Sequence, residues 1–208
     1  MNGTVHATIG AGAGFIVAQS VNANPTTTLL LVGLGGVSGL IPDLDIDGKL
    51  SNKLTISHTF IRSVAQVIGL LMILYTILEG AGTEQWLGIL AGISIMVVAS
   101  VIKQRHMLTI TGIGVLAGGW ALDERWLLML GLYIIIASFV SHRSYTHSIL
   151  GIGYFGFIVY YLEGSLDING VFLTCLIAYT SHLVADMRIF PFNKRGVKYF
   201  LPFSSKEF

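Results

Sequence analysis

The chain has 208 residues, 53% hydrophobic and only 11% charged, with a mean hydropathy of +0.76. That balance lies outside the range of ordinary soluble domains and puts the protein in a bilayer. A formal net charge of +1 without a basic block gives nucleic-acid binding no support, and a single cysteine, Cys175, excludes an internal disulfide.

Taken in chain order, apolar segments separated by short polar breaks fall at about 4–21, 26–42, 63–79, 86–102, 107–122, 126–141, 148–163 and 170–187. They predict an all-α, polytopic transmembrane bundle of about eight spans over residues 1–187. The first segment lacks a basic leader and a small-residue cleavage site, so it reads as a retained span. Each segment is about 16–18 residues, roughly 25 Å of helix, a little short of the ~20 residues a bilayer core usually requires. Glycines recur at helical spacing, Gly10 with Gly14, Gly35 with Gly39 and Gly88 with Gly92, a pattern that lets membrane helices approach closely. Residues 188–208 form a basic, aromatic tail that is expected to lie along the interface, with Phe190, Phe192, Tyr199, Phe200 and Phe203 at headgroup level.

The charges test the span count independently. If eight segments cross, every Lys and Arg except Arg125 falls on one side, while Glu79, Glu84, Asp123, Glu124, Glu163 and Asp167 fall on the other. Positive residues gather in cytoplasmic loops, so both termini are expected in the cytoplasm.

The remaining ionisable residues converge. His6 opens the first segment, "IPDLDID" at 41–47 closes the second, His142 and His147 flank the turn between the sixth and seventh, and His182 and Asp186 end the eighth. By the topology above, all stand at the cytoplasmic ends of their helices, at one membrane depth. His182 and Asp186 are four apart, which puts them on one helix face. Alone, this spacing is also that of a salt-bridged helix end, and "PDLD" alone is also that of a solvated acidic turn. Together, imidazole nitrogens and carboxylate oxygens make the mixed donor set that suits zinc or another first-row dication. The candidate ligands are His6, Asp43, Asp45, His142, His147, His182 and Asp186, enough for more than one ion. His58 reads as a loop histidine held in reserve.

In "SHRSYTHS" at 141–148, His142 and His147 are five apart and would diverge on one continuous helix. A tight turn resolves this: Thr146 is expected to cap the next helix, with His147 in its first turn. Arg143 either grips an anionic substrate group as a planar fork or snorkels towards lipid phosphate.

His6, "PDLD" at 42–45, "HRSYTHS" at 142–148, "HLVAD" at 182–186 and "GVKYFLPFS" at 196–204 together resemble the YdjM family of bacterial inner-membrane proteins described as metal-dependent hydrolases. The resemblance spans nearly the whole chain and carries a distant link to zinc-dependent phospholipase C. It implies hydrolysis of a phosphoester at the bacterial cytoplasmic membrane. Family members often continue the acidic motif as Asp-x-Asp-His, whereas Ile46 and Asp47 follow here.

The expectation is therefore an integral membrane hydrolase whose site faces the cytoplasm and whose metal-activated water cleaves a lipid or membrane-associated phosphoester. Divalent ions are the cofactors, zinc first and manganese or magnesium also compatible, and membrane lipid is the partner. Arg143 would hold the phosphate and Asp45 would serve as base. Two alternatives stay open: a metal or ion transporter using the same residues transiently, and a scaffold with a structural metal. A transporter should place its site near the bilayer midplane, and the span interiors carry almost no ionisable groups.

Overall fold

The computed structural model describes residues 2–44, 57–140, 144–189 and 196–208. Among these it is all helical: eight α-helices, two short 3-10 turns and no strand. In order, the helices are α1 (Gly3–Ser20), α2 (Pro25–Ser38), α3 (His58–Glu79), α4 (Gly82–Ser100), α5 (Gln104–Ala121), α6 (Arg125–Ala137), α7 (Ile149–Leu166) and α8 (Val171–Ala185). Each lies where the hydropathy pattern predicts a span.

Their lengths are less uniform than that pattern. Three helices, α3, α4 and α7, are long and apolar enough to cross a membrane. Three others, α2, α6 and α8, are apolar but have 14, 13 and 15 residues. At 1.5 Å per residue these rise only about 20–23 Å against a hydrocarbon core of ~30 Å.

The chain divides into two compact units, residues 1–51 with 108–208, and residues 52–107. The smaller unit is built on the α3–α4 hairpin, whose helices meet where Gly69 faces Gly92 and Thr76 faces Gly88. Apart from those seams its helices leave large apolar side chains uncovered: Leu71, Tyr75, Leu78, Trp86 and Leu90 are all exposed. A soluble protein does not leave contiguous apolar faces of this kind uncovered.

In the larger unit, α1 and α2 run as a hairpin and α8 packs against both. Asn24 caps α2, its side chain accepting from the Thr27 N–H at 2.9 Å, and Pro25 follows at the position where its missing N–H costs nothing. Two of the three glycine pairs read from the sequence, Gly10 with Gly14 and Gly35 with Gly39, lie on the facing sides of this hairpin. Gly10 and Gly35 stand so close that a Cβ on either would collide with the other's carbonyl, and Gly14 abuts the backbone of Leu31. Lipid gives no hydrophobic reward for helix contact, so backbone proximity of this kind supplies the packing. Beyond α8 comes α7, and then α6. Ala18, Leu31, Phe155, Val159, Tyr179 and Leu183 belong to the continuous buried core.

Helix ends depart from the hydropathy boundaries in two places that matter. The second segment was expected to run to residue 42, but α2 stops at Ser38 and a separate 3-10 turn, Ile41–Leu44, follows. Between α6 and α7, Thr146 does not cap the next helix. Ser148 does: its hydroxyl accepts from the Gly151 N–H at 3.3 Å, and Thr146 and His147 lie in a preceding 3-10 turn, Tyr145–His147. Ser148→Ala should therefore lower stability by about 1 kcal/mol, the usual worth of a serine cap, in thermal unfolding of detergent-solubilised protein. An unchanged midpoint would mean the cap is replaced by water.

The described part of the tail is tied into the larger unit. Val197 and Phe208 exchange backbone hydrogen bonds in both directions, and the N–H of Ile149, first residue of α7, donates to the Tyr199 carbonyl at 3.0 Å. Burial pushes the Tyr199 phenol above its usual pKa, and the Asp186 carboxylate adds to the effect.

Candidate metal centre

Four segments of the larger unit bring five of the predicted ligands together: His6 from α1, Asp43 from the turn after α2, His147 from the turn before α7, and His182 and Asp186 from the end of α8. Helix packing places them. A Cβ on Gly39 would lie 2.6 Å from the His6 carbonyl, so a residue without a side chain lets the start of α1 meet the end of α2. Pro42 and the Asp43 N–H, which donates to the Leu40 carbonyl at 3.0 Å, turn the chain so that Asp43 comes round to the histidines.

The side chains are buried: His147 is 0% exposed, His182 1%, His6 and Asp186 2% and Asp43 9%. The His6 and His182 rings stack at 3.8 Å between centroids, and His147 meets His182 edge-on at 5.2 Å. The donor atoms form two groups, His6 with His182 and Asp186, and Asp43 with His147 and His182; within each, they lie within 4.8 Å of one another. His182 is common to both.

Its tautomer follows from hydrogen bonding. His182 Nδ1 lies 2.7 Å from the Gly39 carbonyl oxygen, which can only accept, so Nδ1 carries a hydrogen, and in the neutral ring Nε2 presents a lone pair. That lone pair faces Asp43 Oδ1 at 3.6 Å and Asp186 Oδ2 at 3.8 Å, and Nε2 has no hydrogen-bond partner among the described residues. An imidazole lone pair facing two carboxylates sets electron-rich atoms together, an arrangement that could hold a metal ion.

The distances bear on which cation. A proton shared between imidazole and carboxylate draws nitrogen and oxygen to about 2.7–2.9 Å. Two ligands each ~2.0–2.1 Å from a tetrahedral ion stand roughly 3.4 Å apart. The observed separations are 3.3 Å for His6 Nε2 to Asp186, 3.6 and 3.8 Å for His182, and 3.7 Å for His147 Nε2 to Asp43. They match the second figure. The residues present therefore fit a divalent ion in donor type, charge and spacing.

Supporting contacts resemble those around metal-binding histidines, whose second nitrogen is held by a carbonyl, hydroxyl or carboxylate. Gly39 serves His182, and the Thr146 hydroxyl lies 3.1 Å from His147 Nδ1. Thr146 is fixed in turn: the Tyr179 hydroxyl donates to its carbonyl and lies 3.1 Å from the Tyr133 hydroxyl. Sequence reasoning missed Gly39 and Tyr179 as supports. The first acts through a backbone carbonyl and the second from mid-helix, and neither leaves a side-chain pattern.

The candidates Asp45, His142 and Arg143 lie outside the described residues. His58 belongs to neither donor group; it begins α3, and its Nδ1 lies 2.9 Å from Gln104 Oε1.

Fold and site together define an all-helical protein with helices of membrane-crossing length and a buried histidine–aspartate cluster that could hold a metal ion. The sequence model of the family described as YdjM inner membrane protein matches residues 1–208, and the chain belongs to that family. No curated protein and no solved structure matches it.

Proposed function

We propose that the protein is a multi-pass membrane hydrolase, with both termini cytoplasmic, that cleaves a phosphoester of a lipid or membrane-associated substrate at a metal centre on the cytoplasmic face. The observation that carries this reading is His182 Nε2, a buried lone pair held between two buried carboxylates. The one-sided distribution of Lys and Arg supports the orientation.

His6, Asp43, His147, His182 and Asp186 are the ligands, with Asp45 and His142 as further donors assigned from the sequence. A divalent ion bound there supplies Lewis acidity to a phosphoryl oxygen and lowers the pKa of a water it holds to about 7. Three imidazoles favour zinc, while two carboxylates also suit manganese. His182 has one lone pair to give, because Nδ1 is committed to Gly39, so it can serve only one ion. A second ion requires donors beyond the two groups that share it. The chain's own part is to hold His182 in one tautomer, to exclude bulk water by burial, and to bind phosphate through Arg143. A carboxylate not engaged as a ligand would take the proton of the attacking water, with Asp45 the candidate for that role.

Phosphate release from diacylglycerol phosphate and alkyl phosphates by the purified, zinc- or manganese-loaded protein tests the reading. Activity should fall more than ~100-fold in His147→Ala and Asp186→Ala, beyond the loss usual for an outer-shell partner. Activity retained in both variants would sink the hydrolase reading, and tight metal binding without turnover would favour the scaffold.

A further inference from the structure

A groove of about 570 Å³ lies between α6 and α7, within the range of sites that bind small ligands. Its surface is almost all carbon, from Tyr133, Ile136, Leu150, Gly153 and Phe157, and Thr146 also lines it. We propose that this groove receives one hydrocarbon chain of a phosphorylated lipid, whose headgroup is thereby brought to the His147 end of the metal centre. The inference rests on the hydrolase reading for the headgroup chemistry and adds the class of substrate.

Three observations carry it. The first is continuity with the site: Thr146 lines the groove, and its hydroxyl lies 3.1 Å from His147 Nδ1. The groove thus includes the residue that precedes a candidate ligand and contacts its ring at Nδ1. The second is continuity with lipid. The groove lies along α7, a helix long and apolar enough to cross a membrane, and its lining includes the exposed side chains Ile136, Leu150 and Phe157. From Ile149 to Phe157 the helix rises about 12 Å, close to the ~15 Å depth of one leaflet's hydrocarbon. The third is a rigid inner wall. Tyr133 stacks on Tyr154 with centroids 6.1 Å apart, the Tyr154 hydroxyl donates to the Met129 carbonyl at 3.1 Å, and the Tyr133 hydroxyl lies 3.1 Å from that of Tyr179. A preformed wall spares the ordering cost of binding a flexible chain.

Gly153 provides the test. A Cβ built there meets nothing within 4 Å, so a larger side chain can occupy the groove without disturbing the backbone. Gly156 is the control, because it lines a neighbouring groove between α7 and α8, where its Cβ would meet only Leu176 at 3.8 Å. Dodecyl phosphate with a diazirine near the chain end is irradiated with the full-length protein in detergent, and adducts are mapped by mass spectrometry. The expected result is labelling concentrated on Ile136 and Leu150, which do not line the neighbouring groove, reduced roughly tenfold in Gly153→Leu and unchanged in Gly156→Leu. Labelling spread evenly over the exposed apolar helices of the wild-type protein would overturn the proposal without reference to any variant. Phosphate release is measured on the same samples. Groove labelling without turnover would sustain the chain site while the hydrolase reading fails; turnover on long-chain substrates unaffected by Gly153→Leu would remove the chain site and leave the hydrolase standing.

Discussion

Replacing His182 with alanine is expected to strip the protein of its divalent ion, with the metal-to-protein ratio after desalting falling to background. No other described residue is shared by both donor groups. The substitution removes the lone pair set between Asp43 and Asp186, leaving two buried carboxylates with less to balance them. It also strands the Gly39 carbonyl, which then loses the Nδ1–H donor it accepts from. A buried acceptor left unpaired costs about 1–3 kcal/mol, so the variant should be less stable as well as metal-free. His6→Ala and His147→Ala each disturb one group and should weaken binding less. An equal metal content in His182→Ala and wild type would remove this histidine from the site.

The second large effect concerns the seam that brings His6 and Asp43 to the same place. Gly10→Leu drives a side chain into the Gly35 carbonyl, where the obstacle is backbone and cannot rotate away. Overpacking usually costs 1–3 kcal/mol, and with the Gly35 backbone as the obstacle and the Ala178 Cβ also close, about 3 kcal/mol or more is expected. Gly12 and Gly33 give the internal comparison, since a Cβ on either meets nothing within 4 Å. Alanine there should be neutral or stabilise by up to about 1 kcal/mol through helix propensity. Thermal unfolding in one detergent should rank the Gly10 variant well below both. Equal midpoints for Gly10→Leu and Gly12→Ala would mean that α1 and α2 do not meet at this seam.

Much of the architecture was legible because hydropathy and the breaks between apolar runs are sequence-local. Eight helices stand where eight apolar segments lie, and the Gly10–Gly14 and Gly35–Gly39 spacings marked the surfaces on which α1 and α2 meet. The gathering of His6, Asp43, His147, His182 and Asp186 followed from placing each at the same end of its helix, without knowledge of which helices touch. Helix termini were not legible in the same way. Residues 39–42 are apolar or small enough to prolong α2 on a hydropathy scale, yet the helix stops at Ser38 and the chain tightens into the turn that carries Asp43. Thr146 and Ser148 are both competent caps by residue type; which one serves is decided by tertiary contacts, with Thr146 committed to His147 and Tyr179. The tautomer of His182 depends on a carbonyl 143 positions away in the chain.

The lengths of α2, α6 and α8 refine the picture of the site. Helices of 13–15 residues that carry or adjoin the candidate ligands end short of a full membrane crossing. Asp43 and His147, in the described turns Ile41–Leu44 and Tyr145–His147, are packed in protein, where irregular backbone is tolerated. A buried centre within reach of a lipid headgroup is what such an arrangement allows.

X-ray absorption at the metal edge, on protein purified in detergent and loaded with zinc, tests the central claim most directly. The site described here predicts a first shell of nitrogen and oxygen at about 2.0–2.1 Å with outer-shell scattering from imidazole, diminished in His182→Ala. Folded protein that retains no zinc or manganese after loading, or whose ion shows no imidazole scattering, would contradict it.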